Sequence, residues 1–403
     1  MTEIKRKGHL QKQTLRLTVT SPVSIGTGAS YSPCEYYYDA KSGKVYFLHL
    51  GEWFKLMDKK GKRGAYEDFL RGKYGNINTL TAWVKTVFSQ GLTEVEMRPA
   101  IKSEVSVTSN LWIENNKLTL NTVRPCMHLL DGRPYIPGSS IKGLIRTAIL
   151  YHLLQEDKNL KSRYKTSVST ASKANDKNSK NNVKDKFPIK KAMGKIAKPL
   201  EESLLYRLVD KKGNKLSFAL ADVLRGLRCS DAMPVGDVTT EILQKIDLKL
   251  RNKKGETSVA LPLYRESILP GNEFTFSITL DTAMTKIIGI NSVQDVLDIL
   301  SEYHNFIIND VMQPVFGSTH PNVFAKFKGN GLIGGNTGFL YRTLHLALYN
   351  THDEARDIIR KILAEQFIKH FHENDKVISP RTMRATKLNN EMVLTGGIDI
   401  TCV

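Results

Sequence analysis

Apolar and polar residues alternate over Thr14–Thr20, with Leu15, Leu17 and Val19 on one side, and this period of two predicts a strand that runs into the small-residue turn SPVSIGTGAS. Tyr36–Tyr38 and Val45–Leu50 flank the turn residues Asp39–Lys44 and read as a β-hairpin. From Glu52 to Gln90 the period becomes helical, with Trp53, Phe54, Leu56, Met57, Tyr66, Phe69, Leu70, Leu80, Trp83, Val84, Val87 and Phe88 in short amphipathic groups. Strand-like sequence on both sides makes this block an insertion. Alternation returns over Glu94–Val107 and Leu111–Val123, with Asn115 and Asn116 at a hairpin turn, and again over Leu216–Pro234, Ser258–Ile268 and Asn272–Leu280. Two long helices follow. The first covers Ser292–Phe306, with Ser292 and Asp295 spaced as a capping box, and the second is capped by Thr351 and Glu354. Met392–Val403 closes the chain as a strand whose glycines imply a bulge. Strands at both ends with helices between them predict an α+β sheet closed by distant parts of the sequence.

The most explicit segment is YIPGSSIKGLIRTAILYHLL, Tyr135–Leu154. Pro137 and Gly138 turn the chain, Ser139 or Ser140 offers a capping oxygen, and Ile141, Leu144, Ile145, Ala148, Ile149 and Leu153 form an apolar face. Lys142 and Arg146 lie i,i+4 near the helix start, where unpaired amides favour an anion. This is either an ordinary capped helix with two solvated cations or a contact for a phosphate backbone. Gly26, Thr27 and Gly28 in the first turn have the same two readings, a tight strand connection or close approach to phosphate or ribose.

Charge changes the picture. The net charge is +19, which points to a polyanionic partner. Residues 157–198 hold 13 Lys or Arg against three Asp, so +10 of the excess sits there. The segment includes VSTASKANDKNSKNN, and its polarity predicts a disordered insertion, either a solubilising loop or a flexible basic arm. Cys34, Cys126, Cys229 and Cys402 are far apart without a C-x-x-C pair or a Cys/His cluster, so neither a disulfide framework nor a metal site is expected. The absence of a long apolar run or apolar leader predicts a cytosolic protein without membrane contact.

The stretch FKGNGLIGGNTGFL contains a literal G-x-G-x-x-G, but Gly335 and Gly338 prolong the irregular stretch where a dinucleotide-binding helix would begin. A glycine loop with Gly331, Gly334, Gly335 and Asn336, rimmed by Lys326, Lys328 and Arg342, suits a phosphate backbone or a neighbouring subunit better. Catalysis by general acid and base needs two suitably placed groups. His9, His128, His304, His345 and His352 are scattered, His370 and His372 are near a helix end, and Asp231 has no partner expected of a two-metal site. No catalytic residue and no cofactor is assigned.

YIPGSSIKGLIRTAIL resembles the helix-one signature I-P-G-S-S-x-K-G-x-x-R of the RAMP superfamily of CRISPR systems, through Pro137, Gly138, Ser139, Ser140, Lys142, Gly143 and Arg146. The SPVSIGTG turn, the R-E and P-G-x-x-F pair within Arg265–Phe274, and the loop Gly329–Gly338 follow in the family's order. The length, the GGNTGFL loop and the helical stretch after it look most like the subunit that caps the crRNA 3′ end in type III-A (Csm) effector complexes.

The resemblance implies a ferredoxin-like, RRM-like βαββαβ core, single or duplicated, with helical and disordered insertions. It places a first part at 1–283, with insertions at about 52–90 and 157–198, and a second at 284–403, with the glycine-rich loop 329–338 and the closing strand 392–403. It also implies a non-catalytic crRNA-binding and assembly subunit, next to a repeated RAMP backbone subunit and attracting cellular nucleases during 3′-end maturation. RNA contacts are expected at Gly26, Thr27, Gly28, Gly138, Ser139, Ser140, Lys142, Arg146, Lys326, Lys328, Gly331, Gly334, Gly335 and Asn336. The competing expectation is a RAMP endoribonuclease. No aromatic RNP strand is visible, so contact through backbone and 2′-hydroxyl groups is expected rather than base stacking on a sheet.

Overall fold

The computed structural model describes residues 9–403 apart from 90, 108–112, 115–116, 119, 175–186, 211, 215, 253 and 350; the Asn115–Asn116 turn lies outside the described residues. Two sheets organise the chain. The first has the spatial order Gly331–Leu332, Gly397–Cys402, Leu10–Val19, Glu273–Asp281 and Leu227–Cys229, with all neighbours antiparallel. Leu15 lies opposite Phe276 and Leu17 opposite Phe274, and all four are buried. Because side chains alternate along a strand, this register turns one sheet face inward and leaves Arg16 on the other. Helices Gly138–Glu156 and Val293–Asn305 contribute to the core of the inward face with Ile141, Ile145, Ala148, Ile149, Val296, Leu300 and Tyr303. The Ser292–Asp295 capping box is present at the start of the second helix.

The second sheet runs Glu391–Leu394, Thr382–Leu388, Thr240–Lys249, Ile101–Val107, Lys44–Leu48 and Tyr36–Asp39. Ser258–Ile268 also pairs with Thr240–Lys249 and carries Val123–Arg124 on its far side. Strands from the last part of the chain thus complete both sheets. The helical block contains Leu50–Lys59, Arg63–Leu70 and Leu80–Val87, and it encloses a separate small core of Trp53, Tyr66, Phe69 and Trp83 against Tyr37, Tyr46 and Leu48.

Several expectations are corrected. The basic segment is helical over most of its described residues, as Lys158–Ala171 and the first part of Pro188–Leu205. Tyr164 and Val168 are buried in the main core and Leu160, Ile189, Met193 and Ile196 pack against it, so a few well-spaced apolar residues suffice to dock an otherwise polar sequence; its central part, 175–186, lies outside the described residues. The expected strand over Glu94–Val107 begins with a helical turn, Glu94–Met97, closed by a Thr93–Glu96 capping box. Strands Thr240–Lys249 and Thr382–Leu388 were not expected from the pattern. The closing segment is two strands in different sheets: Glu391–Leu394 pairs with Thr382–Leu388, and Gly397–Cys402 pairs with Leu10–Val19. Gly396, with φ +93°, makes the crossing between them.

Candidate nucleic-acid interface

The entry to helix Gly138–Glu156 is fixed by close packing. The Gly138 amide donates to Asp231 Oδ1 at 2.7 Å, and a Cβ on Gly138 would sit 2.5 Å from the Cys229 carbonyl oxygen. The cap therefore comes from Asp231 on the neighbouring strand segment, and neither Ser139 nor Ser140 caps the helix through its side chain. Asp231 thereby has a structural partner.

Lys142 and Arg146, expected to face phosphate, are turned to the protein's own acceptors. Lys142 Nζ donates to the carbonyls of Leu224 at 2.8 Å and Leu227 at 2.7 Å, and burial lowers its pKa. Arg146 bonds Asp222 and Glu201, both at 2.9 Å; burial opposes its charge, but these two bonds outweigh it and raise its pKa. Both cations fasten the helix to the segments around residues 201 and 222–227. Family spacing pointed to them, but which way an i,i+4 pair faces depends on packing.

On another side of this helix lies a cavity of about 680 Å³. It brings together Gly26 and Gly28 of the first turn, Ser140 and Gly143 of the helix, and Gly334 and Gly335 of the glycine loop. A Cβ built on Gly143 meets nothing within 4 Å, so this glycine keeps the helix wall bare rather than allowing close packing. Gly143→Ala is expected to raise stability by about 0.5–1 kcal/mol, because it removes backbone freedom in a helix interior without a clash, and to narrow the groove. A shift in the urea midpoint measures the first effect; a destabilised variant would mean that Gly143 is a packing residue.

The charge in the cavity comes from Arg124, Arg265 and Arg342, and no carboxylate is among its described lining residues. Arg124 and Arg265 occupy paired positions on neighbouring parallel strands. Arg342 Nε donates to Thr337 Oγ1 at 3.0 Å, and its Nη2 bonds the Gly334 carbonyl. Burial, followed by the nearby charges of Arg124 and Arg342, lowers the Arg265 pKa, and burial lowers that of Arg342. The next side chain, Glu266, faces away: its carboxylate accepts from the Cys126 amide at 2.9 Å and Thr240 Oγ1 at 3.0 Å, and pairs with His128 Nε2 at 3.0 Å.

The glycine loop acts differently from an amide cradle. The Gly335 N–H donates to the Ser24 carbonyl at 2.7 Å, and a Cβ there would lie 2.7 Å from Arg265 Nη1. Gly335 therefore makes room for an arginine. Gly331 pairs with Ile398, and a Cβ on it would press on Leu144. Asn336 takes φ +75°, and its carbonyl accepts from Thr395 Oγ1 at 2.8 Å. Lys326 pairs with Glu391 at 2.6 Å, and neither it nor Lys328 lines the cavity. Thr27 Oγ1 accepts from the Ala29 amide at 3.1 Å, closing the first turn. Arg124 and Arg265 were missed as site residues because their meeting depends on the pairing of strands far apart in sequence. Arg265 did stand in the quoted R-E pair.

A sequence model of the RAMP superfamily matches residues 16–339. The chain belongs to the RAMP superfamily. This RAMP chain is 28% identical to the CRISPR system Cms protein Csm5 of Streptococcus thermophilus over 270 residues, covering 66% of this chain and 64% of that protein. It is 24% identical over 400 residues to the Csm5 protein of Mycobacterium tuberculosis, covering 95% of both. Among solved structures, a chain from the cryo-EM structure of a Csm–crRNA–target RNA ternary complex of a type III-A CRISPR-Cas system superposes with a TM-score of 0.62 at 17% identity, covering 97% of this RAMP chain and all of that one. That likeness is one of fold. Among the described residues no helix is long and apolar enough to cross a membrane, and no group of three His, Cys, Asp or Glu is placed to hold a metal ion.

Proposed function

We propose that this RAMP chain is a non-catalytic crRNA-binding and assembly subunit of a type III-A CRISPR ribonucleoprotein, seated at the crRNA 3′ end beside a repeated backbone subunit and supporting 3′-end maturation. The groove is the observation that carries the reading: a turn, a helix wall and a glycine loop from distant parts of the sequence meet around three arginines, with no carboxylate among the described lining residues. Guanidinium groups suit phosphate through charge and a planar donor fork. Among the described lining residues there is no histidine, aspartate or glutamate to act as general base or acid, which supports binding rather than cleavage. The relatives named Csm5 support assignment to this complex type.

The first sheet supports a ferredoxin-like reading of the core. Leu10–Val19, helix Gly138–Glu156, Leu227–Cys229, Glu273–Asp281, helix Val293–Asn305 and Gly397–Cys402 occur in the order βαββαβ. Their spatial strand order places the last strand beside the first, then the third, then the second. Cellular nucleases would act as visitors to the assembled complex, and the protein would work in the cytosol without a cofactor.

Copurification of the tagged chain with sequencing of bound RNA tests this function: crRNA with stepped 3′ ends is expected, and a pool without crRNA would rule it out. The groove itself is tested by Arg124→Ala with Arg342→Ala. Removing two single-strand phosphate contacts is expected to weaken crRNA association across sequences and flatten the log–log salt dependence by roughly 1.4. Lys142→Ala is expected to leave that slope unchanged and lower stability instead, because its ammonium serves internal carbonyls.

A further inference from the structure

The groove gathers its charge in three arginines that line one cavity, with Arg265 close enough to feel the charge of the other two. Arg124 and Arg265 stand at paired register positions on adjacent strands, which lie about 4.8 Å apart. Arg342 approaches from the helical turn Leu340–Arg342 just after the glycine loop, held by Thr337 and Gly334 of that loop, and the bare Gly335 lets the Arg265 guanidinium lie against the same loop. Arg265 therefore has another arginine on each side. Among the described residues neither Arg124 nor Arg265 has an ion-pair partner. Lys142 and Arg146 do not continue the positive surface along the helix, because they are bonded internally, and Lys326 is paired with Glu391.

We propose that this groove is a receptor for a phosphate monoester at an RNA end, with Arg265 as its central contact. The proposal rests on the RNA-binding reading above and names the part of the RNA that the groove takes. An internal phosphodiester brings one negative charge and two bridging oxygens that accept poorly. A terminal monoester brings about 1.5 to 2 charges and three strong acceptor oxygens. The guanidinium forks of Arg124 and Arg265, with the charge of Arg342 beside them, match the second. Half-burial strengthens the preference, since like charges in a partly desolvated site repel more strongly and a dianion relieves more of that repulsion. On the opposite wall, Ser140 and the bare Gly143 leave space for the terminal ribose.

The test uses the full chain and two sets of ligands. In thermal unfolding, uridine 3′-monophosphate and uridine 5′-monophosphate are compared with uridine, which separates a phosphate at either end from the nucleoside. In direct binding, one RNA oligomer is compared with a 3′-phosphate, with a 5′-phosphate and with hydroxyls at both ends. Expected are a concentration-dependent rise in Tm with a monophosphate and none with uridine, and at least tenfold tighter binding of a phosphate-ended oligomer. The end that shows the gain identifies the source. Arg265→Ala should bring the affinity ratio close to one, while Arg71→Ala, an exposed arginine of the helical insertion, should keep it. Equal affinity for all oligomers, with Arg265→Ala weakening them alike, would overturn the end-recognition proposal and leave RNA binding intact. Absence of binding to every RNA, together with no crRNA in the copurified material, would instead remove the reading on which the proposal rests.

Discussion

Gly396→Val is expected to destabilise the protein by about 2–6 kcal/mol, the sum of backbone strain and overpacking. Gly396 has φ +93°, a conformation closed to a β-branched residue. An added Cβ would lie 2.5 Å from Thr337 Cγ2 and 2.7 Å from the Ile333 carbonyl oxygen, so the strain cannot be relieved by a side-chain rotation. The residue also joins three segments: its N–H donates to the Pro22 carbonyl at 2.7 Å, and its own carbonyl accepts from the Ile333 N–H at 2.8 Å. Such a loss is a large share of an ordinary folding free energy of about 5–15 kcal/mol. Gly28→Ala is the matched comparison, because Gly28 also has positive φ, +86°, but a Cβ there meets nothing within 4 Å. Its cost is expected to be strain alone, about 1 kcal/mol. Urea midpoints of the two variants check the difference; equal losses would show that the contacts around Gly396 yield freely. If the groove binds RNA as proposed, a milder Gly396→Ala variant that still folds should lose RNA affinity as well, since displacement of Thr337 disturbs the partner that holds Arg342.

This crossing shows where sequence pattern stops informing. The glycines of MVLTGGIDITCV did announce a departure from a regular strand, and a bulge is the local explanation for it. What occurs is a change of sheet, which depends on Leu10–Val19 being available as a partner almost 400 residues away. Helix starts were legible where their chemistry is local, as with Ser292 and Asp295 and with Thr351 and the Glu354 amide, but not at Gly138, whose cap is the distant Asp231. Thr240–Lys249 was not legible, since its buried run Ile242, Leu243, Gln244 includes a polar residue and breaks simple alternation, and it is bordered on both sides by other strands. The site divides in the same way. The sequence located Gly26, Gly28, Ser140, Gly334 and Gly335 around the cavity and named Arg342 on the rim of the glycine loop, but it assigned the charge also to Lys142, Arg146, Lys326 and Lys328, which do not line it. The arginines that supply it are brought together by strand pairing and by a glycine whose missing side chain leaves room, neither of which has a short-range signature.

Lowering the pH from 6.5 to 5 is expected to remove about 1.6 kcal/mol of stability through His304 alone, before most carboxylates protonate. Burial lowers the His304 pKa to about 4, against about 6.5 for an unfolded histidine. Between these values the unfolded chain binds the proton and the folded chain does not, so stability falls as pH falls through this window. The geometry gives the reason. Tyr341 Oη lies 3.1 Å from His304 Nδ1 and accepts from the Leu332 amide at 3.0 Å, so its hydroxyl hydrogen is free to point at an unprotonated ring nitrogen. A protonated ring would offer a second donor where an acceptor is required. This chain of bonds runs from helix Val293–Asn305 to Leu332 and Tyr341, both of which line the groove, so acid should loosen the groove floor along with the core. His345, whose pKa burial also lowers to about 4, acts in the same direction. His128 acts oppositely: burial disfavours its charge, but the Glu266 carboxylate wins and raises its pKa, so its contribution is full below the unfolded value and fades as pH rises through the folded one. Urea unfolding at pH 7.5, 6.5, 5.75 and 5 separates these terms when wild type is compared with His304→Asn, which keeps an acceptor toward Tyr341 and cannot take the proton. The variant should show a shallower loss between pH 6.5 and 5; parallel curves would mean that His304 is protonated in the folded protein with no cost, and that its bond to Tyr341 does not hold the groove floor.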